Sequence, residues 1–372
     1  MSQAIDGADR ADGADGVGGA DGAYGVGGAD GAYGVGGADG AHGAGGADGA
    51  HGAGGADGAH GARDRQDGSG LPAQPAPHTD APVALDIFIP FWGEPDYLYA
   101  AVRSVLDQTS PNWRLTVVDD CYPEDVSGFF SGLDDERVRY LRNEENLGII
   151  GNFSRCQELA EGVYTVFMGC DDLLGPRYVE TIERTAARLP GVEIIQPGVE
   201  VVDGSGAPVL PLSDRVKDLL RPSGRATHVL AGEDLARSLF VGDWLYWPSL
   251  ALRTEALKGV RFLPDYEIIL DVGLLMDLIT AGARLAVVPD VVFRYRRHGA
   301  SLSSEALLDG PRFSDERRFF AQQAARMDAL GWRRASRAAR QHLTSRAYAL
   351  SLLPGALRAR RDVRPLLRHA LR

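Results

Sequence analysis

The sequence predicts an α/β domain built on a mostly parallel, doubly wound sheet. Three observations carry that expectation. Between residues 83 and 304, short apolar runs rich in Val and Ile alternate with amphipathic segments of helical length. The intervening segments are long enough for right-handed crossovers between parallel strands. Two of the apolar runs end on adjacent carboxylates, Asp119–Asp120 and Asp171–Asp172, and an open parallel sheet binds ligands at the carboxyl ends of its strands.

"ALDIFIP" reads as the first buried strand. "PDYLYAAVRSVLDQ" reads as a helix with Leu98, Val102, Val105 and Leu106 on one face. "LTVVDD" and "VRYLRN" are the next two strands, "NFSRCQELAEG" a helix, and "VYTVFM" a fourth strand. A helix over 176–189 follows, with Pro176 in the tolerated first turn. "VEIIQPGVEVVDGSG" reads as a strand and a hairpin-like turn, and 203–235 as polar and irregular. "LDVGLLMDLITAG" is helical and "RLAVVP" reads as a strand that stops at Pro289, ahead of "VVFRYRRHGAS". Beyond Ser304 the pattern is helical and rich in Arg, with Pro354 and Pro365 expected to break it.

The ends of the chain differ from its middle. The formal net charge is −12, but residues 1–70 hold eleven Asp against three Arg, and 331–372 hold eleven Arg against Asp362 alone. From Gly18 to His60 the sequence repeats every nine residues, as in "GGADGAYGV". Calcium-binding β-rolls use nonapeptides with a large apolar residue pointing inward. This repeat offers only Ala, Val and one Tyr or His, so residues 1–82 are expected to be a disordered tail and Pro-rich linker. A sheet domain over 83–304 and an Arg-rich helical extension over 305–372 complete the expected organisation. Cys121, Cys156 and Cys170 form no C-x-x-C pair, which fits free thiols in a reducing compartment. With no basic-then-apolar leader and no run of about 18 apolar residues, a soluble cytoplasmic protein is expected.

Any one acidic pair at a strand end is explained equally well by capping or turn formation. Two such pairs on one sheet edge favour a site for a hard divalent cation with a phosphate or sugar ligand.

The order "FIPFWGEPDYLYAAVRSVLDQT", "LTVVDDCYPED", "VRYLRNEENLGIIGNFSRC", "EGVYTVFMGCDDLLGPRYVE" resembles the catalytic domain of family 2 glycosyltransferases, over about 85–303. That resemblance implies a GT-A fold, a Rossmann-like nucleotide-sugar-binding architecture. It also implies inverting transfer of a sugar from a nucleotide-diphospho-sugar to an acceptor hydroxyl, assisted by Mg²⁺ or Mn²⁺. The acceptor would be a sugar, a lipid-linked molecule or a small molecule, in polysaccharide, glycolipid or secondary glycoconjugate synthesis.

Residue by residue, the resemblance places Pro90, Phe91 and Glu94 beside the base and ribose. Asp119 and Asp120 face the base, and Asn146 and Gly148 form an N-x-G turn near the nucleotide. Asp171 and Asp172 match the metal motif, Asp171 toward the donor and Asp172 on the cation, with His298 as a further metal or diphosphate contact. Arg294, Arg296 and Arg297 would balance phosphate charge, no more than two of them reaching it. Asp271 matches the catalytic base, since in-line attack needs a carboxylate to take the acceptor proton; an N-cap is the alternative. Trp244 and Trp247 fall on the acceptor side, with core packing as the alternative.

Two positions depart from the family pattern. Gly169 stands where the first acid of the metal motif is usual, and Leu270 where a Glu usually precedes the base. They keep alive a second expectation, a catalytically inactive sugar- or nucleotide-binding relative. A nucleotidyltransferase is disfavoured because "IPFWGEPD" is no basic Gly-rich loop and no Walker motif occurs. The basic C-terminal segment, with its spaced leucines, fits either a helical cap or peripheral contact with an anionic membrane. Nothing in it resembles a nucleic-acid-binding module.

Overall fold

The computed structural model describes residues 85–263, 269–297, 310–358, 360 and 362–371. The nonapeptide segment and its linker, like His298, lie outside them.

The first half alternates strand and helix as expected. β1 (Leu85–Phe91) leads to α1 (Pro95–Leu106), β2 (Trp113–Asp119), a short α2 (Ser127–Ser131) and β3 (Val138–Arg142). Next come α3 (Gly148–Glu158), β4 (Tyr164–Phe167), the two-residue β5 (Leu173–Leu174), α4 (Tyr178–Arg188) and the long β6 (Ile194–Asp203). All seven residues of β1 are buried, as suits a strand covered on both faces. α1 buries Leu98, Ala101, Val102 and Val105, one helical stripe.

The second half holds α5 (Leu212–Leu220), β7 (His228–Ala231), α6 (Gly232–Val241), a 3₁₀ turn at Trp247–Ser249, β8 (Ala251–Arg253) and α7 (Thr254–Leu257). It continues with α8 (Leu270–Thr280), β9 (Arg284–Arg297), α9 (Gly310–Ala329), α10 (Arg333–Gln341), α11 (Leu343–Arg358) and α12 (Arg364–Leu371).

The strands form one sheet in the order β3-β2-β1-β4-β8-β6-β9-β5, with β7 also paired to β9. β1 is parallel to β2 and β4, β2 to β3, and β6 to β9. β8 runs against both β4 and β6, so β1, β2, β3, β4, β6 and β9 all end on the same edge. The chain winds outward through β2 and β3, then returns through α3 to place β4 on the other side of β1. That reversal is the switch point at which open α/β sheets form a ligand crevice.

Three local expectations are corrected. Residues 203–235 are not wholly irregular, because α5 and β7 lie there. α5 escapes a hydrophobic-periodicity reading because its buried residues are Ser213, Asp214 and Lys217, while Leu212 and Leu219 are exposed. "RLAVVP" and "VVFRYRR" form one continuous strand, β9. Its partner β6 shifts register around Gly198, where a Cβ would stand 2.9 Å from the Pro289 and Asp290 carbonyl oxygens. Pro354 does not end its helix but lies within α11, and the break comes after Arg358.

One core layer joins Phe88, Phe153 and Phe167 of the sheet domain to α6 and α8, and also to Phe319, Met327 and Ala335 of α9 and α10. α9 and α10 therefore share the core of the sheet, while α11 and α12 pack on each other through Ala349, Ala356 and Leu366. Among the described residues no helix is long and apolar enough to cross a membrane.

Candidate active site

The two acidic pairs flank the end of β1. Phe91 is in register with Asp119, and Met168, just past β4, donates its N–H to the Phe88 carbonyl at 2.8 Å. At the usual inter-strand spacing, β2 and β4 lie about 10 Å apart across β1. All four carboxylates are buried.

Asp119 is fully committed. Its Oδ1 accepts from the Tyr122 N–H at 2.7 Å, and its Oδ2 from the Tyr140 hydroxyl and from Arg142 Nη1 at 2.7 Å. Cys121, between the acids and Tyr122, adopts φ +62°, a left-handed conformation that a non-glycine residue rarely holds. This reversal lets the chain fold back over Asp119 and brings Tyr122 against Phe91 and Trp92, with ring centroids 5.0 and 5.5 Å away. The half-buried Trp92 and Tyr122 thus give the crevice mouth an aromatic wall.

Asp120 faces the β3–α3 connection. Its Oδ1 accepts from Asn143 Nδ2 at 2.6 Å and from the Leu147 N–H at 2.8 Å. Asn143 in turn reaches Asn152, whose amide donates to the Val118 carbonyl at 3.0 Å. Burial pushes the Asp120 carboxyl up from its ordinary value, with the Leu147 N–H and Asn143 opposing that shift. Asn146 accepts from the Gly148 N–H at 2.8 Å, and Gly148 opens α3 at φ +71°. The N-x-G turn expected from the sequence is therefore present and sits beside Asp120.

Asp171 and Asp172 occupy the turn between β4 and β5, which β9 pins from outside. Leu173–Leu174 pairs with Phe293–Arg294, and Gly175 donates to the Val292 carbonyl at 2.7 Å. A Cβ on Gly175 would meet the Val292 backbone at 3.0 Å, so this approach requires glycine. Asp172 Oδ1 accepts the Arg296 N–H at 2.9 Å. The buried Arg296 guanidinium donates to the Asp171 carbonyl at 2.7 Å and to the Gly204 carbonyl at 2.9 Å, and lies over the Tyr97 ring at 4.8 Å. It ties the acidic turn to the turn after β6 and places a cation behind two adjacent carboxylates.

The other arginines of β9 have different partners. Arg297 forks onto the buried Asp214 at 2.7 and 3.0 Å, and Arg294 pairs with Glu200 at 3.1 Å. Pro90 and Phe91 are buried at the end of β1, and Glu94 is exposed at the N-cap of α1 without a side-chain capping bond.

Asp271 lies in the first turn of α8, buried, with Oδ1 accepting the Val272 N–H at 2.7 Å. Only residues 281–283 separate α8 from β9. Asp271 stands at the other end of the helix from that link, in its first turn. There the positive end of the helix favours a carboxylate. Trp244 and Trp247 are not presented at a surface. Trp244 is fully buried with its indole N–H on Ser238 at 2.9 Å, and Trp247 stacks on Phe167 with centroids 5.8 Å apart. Packing accounts for both.

The sequence reading missed Trp92, Tyr122, Arg142, Asn143 and Asn152 as parts of this edge, and gave Arg296 to donor phosphate rather than to the Asp171 and Gly204 carbonyls. The adjacency of Trp92 to "FIPF" and of Tyr122 to "VVDDC" was a usable signal. Asn143 and Asn152 carried none.

Among the described residues no group of three or more His, Cys, Asp or Glu forms a metal-binding cluster. Asp171 and Asp172 offer only carboxylate oxygens. That set suits Mg²⁺ or Mn²⁺, which bind through one or two carboxylates and fill their remaining positions with substrate phosphate and water.

Comparison with known proteins agrees with this geometry. Residues 86–209 match the profile of glycosyl transferase family 2. TuaG of Bacillus subtilis (strain 168), named for teichuronic acid biosynthesis, is 32% identical over 90 residues, covering 24% of this chain and 36% of its own. The E. coli enzyme named UDP-Glc:alpha-D-GlcNAc-diphosphoundecaprenol beta-1,3-glucosyltransferase WfgD is 29% identical over 89 residues, 24% of this chain and 35% of its own. The chain thus spans about a third of the length of these relatives. S. aureus TarS 1–349, crystallised with UDP-GlcNAc, superposes with a TM-score of 0.50 at 14% identity, over 77% of this chain and 90% of its own. Sheet order, edge chemistry and profile coincide: residues 86–209, a third of the chain, match glycosyl transferase family 2, and the fold is GT-A.

Proposed function

We propose that this edge binds a nucleotide-diphospho-sugar and transfers its sugar, with inversion, to an acceptor hydroxyl in polysaccharide, glycolipid or glycoconjugate synthesis. The observation that carries the reading is the pair of buried dicarboxylates on either side of β1 at the switch point. The name of WfgD, a UDP-Glc-dependent enzyme, supports uridine donors as the first to test.

In this reading the nucleotide lies between the aromatic wall of Trp92 and Tyr122 and the Asp119–Asp120 side, where Asn143, Arg142 and the Gly148 turn hold the carboxylates still. Asp171 and Asp172 would hold Mg²⁺ or Mn²⁺, which when bound neutralises charge on the diphosphate leaving group. Arg296 fixes the turn carrying both acids. Asp271 takes the acceptor proton as the hydroxyl attacks the anomeric carbon.

The test is a panel of nucleotide-sugars with Mn²⁺, read first by thermal shift and then by turnover. A ligand bound only by the folded state raises Tm. Asp172→Asn should remove the metal-dependent shift. Asp271→Asn should leave donor binding intact and abolish transfer to a true acceptor. Donor binding without turnover under any acceptor would favour the inactive-relative reading, which Gly169 and Leu270 motivate. No metal-dependent binding at all would defeat both.

A further inference from the structure

Two helices turn apolar residues outward, and they meet. On α11, Leu343, Ala347, Leu350, Pro354 and Leu357 are all exposed. Their spacing of four, three, four and three residues draws one stripe along a single helix face, about 21 Å long. On α5, the exposed Leu212 and Leu219 stand one heptad apart, because the helix buries Ser213, Asp214 and Lys217 instead. Asp214 is held by Arg297 and by the Tyr246 hydroxyl at 2.8 Å, and Lys217 donates to the Leu245 carbonyl at 2.8 Å. These bonds fix α5 with its leucines facing out. The two helices approach each other at Gly242, where a Cβ would meet both Leu220 and Thr344. Thr344 Oγ1 caps the Val241 carbonyl at 2.7 Å.

A basic groove of about 300 Å³ opens at the start of this stripe, lined by Arg237, Arg334, Arg337 and Gln341, with Leu343 at its rim. α10 buries Ala335, Ser336, Ala338 and Ala339 and exposes Arg333, Arg334, Arg337 and Arg340; Arg334 is paired with Glu233 and Asp234 and Arg340 with Asp328, so Arg333 and Arg337 carry most of the helix's positive field. α12 exposes Arg364 and Arg368 beside Leu367 and Leu371.

We infer that α5, α10, α11 and α12 form an interfacial platform that docks on an anionic phospholipid bilayer. Leu219, Leu343, Leu350 and Leu357 enter the headgroup–acyl boundary, and the groove receives a lipid phosphate. Charge complementarity selects this occupant. An apolar stripe bordered by arginines matches the depth profile of an anionic leaflet, in which leucine goes below and guanidinium stays at the phosphates. A second copy of the chain would bring the same arginines face to face. The platform adjoins the candidate site through Arg297 at the end of β9, so a bilayer-bound enzyme would meet an acceptor presented at the membrane surface.

Sedimentation of the full chain with vesicles tests this independently of sugar transfer. Vesicles of phosphatidylcholine and phosphatidylglycerol in equal parts should carry the protein down, whereas phosphatidylcholine alone should not, and added salt should weaken the binding. Leu350→Asp with Leu357→Asp should lower affinity at least about tenfold. Arg337→Gln should lower it about fivefold. Both variants change exposed residues and should keep the wild-type Tm. The inference is overturned if anionic vesicles do not bind the wild type, or if both variants bind as it does. It is overturned equally if the wild type is a dimer in solution that the double leucine variant makes monomeric while neither binds vesicles, since a second copy would then own the face.

Discussion

At the scale of single residues, the carboxylates at the sheet edge are not equivalent. Asp119 spends both oxygens on Tyr122, Tyr140 and Arg142, so it shapes the crevice as much as it can touch a ligand. Asp120 carries the cost of burial, and its carboxyl is pushed up. A folded-state pKa above the unfolded value means stability that is present below about pH 3.9 and lost as pH rises through the folded value. Asp120→Asn should therefore leave Tm at pH 7 unchanged or higher, with that advantage vanishing near pH 4, while weakening nucleotide-sugar binding at least about tenfold. Thermal melts across pH alongside donor titration would check both halves. The acids themselves were legible in the sequence because charge at the end of an apolar run is conspicuous. Their partners were not, since Asn143, Asn152 and Arg142 are ordinary polar residues until the sheet order brings them beside Asp119 and Asp120.

At the scale of elements, β9 organises the acidic turn. Arg296 donates to the Asp171 and Gly204 carbonyls from a buried position, and removing it leaves those acceptors desolvated without a donor. Arg296→Ala should destabilise the fold by about 2–4 kcal/mol and raise the donor Kd. Arg296→Lys should recover only part, because an ammonium cannot reproduce the fork. Chemical denaturation gives the first number and calorimetric titration the second. The 3₁₀ turn is a contrasting case. Trp247→Ala should cost about 3–5 kcal/mol through the lost stack on Phe167, whereas Trp247→Phe should retain transfer activity if the indole serves packing alone. Most elements were legible from periodicity, as for β1, α1 and α8. α5 was not, because its inward face is Ser213, Asp214 and Lys217, and no hydropathy pattern signals a helix anchored by ions.

At the scale of the whole molecule, α9 and α10 are joined to the sheet by a shared core, and a buried polar cluster ties α9 to α11 and α12. Ser345 Oγ lies between Glu316 and His369, 2.7 Å from His369 Nε2. His342 stacks on Phe320 and lies 5.4 Å from the His369 ring. Burial holds the His342 pKa below its ordinary value, with Arg346 and Arg317 adding to the effect. The unfolded state then binds a proton that the folded state refuses, so this contribution to stability is present above about pH 6.5 and is lost as pH falls. Melts between pH 7.5 and 5.5 should show a declining Tm, and His342→Gln should flatten that slope. The parallel sheet and its switch point could be read from the order of strands and helices. That α9 and α10 would complete the same core could not, because Arg-rich amphipathic sequence reads alike in a cap and in a tail.

The claim that unites these scales is that the Asp171–Asp172 turn holds a divalent cation for a donor diphosphate. The most direct measurement is calorimetric titration of a uridine-diphospho-sugar into wild type and Asp172→Asn, each with and without Mn²⁺. The account predicts binding that needs Mn²⁺ in the wild type and is weakened at least about 30-fold by the substitution, with the fold intact by its melting transition. Equal affinity in the two proteins, or wild-type binding indifferent to Mn²⁺, would contradict it.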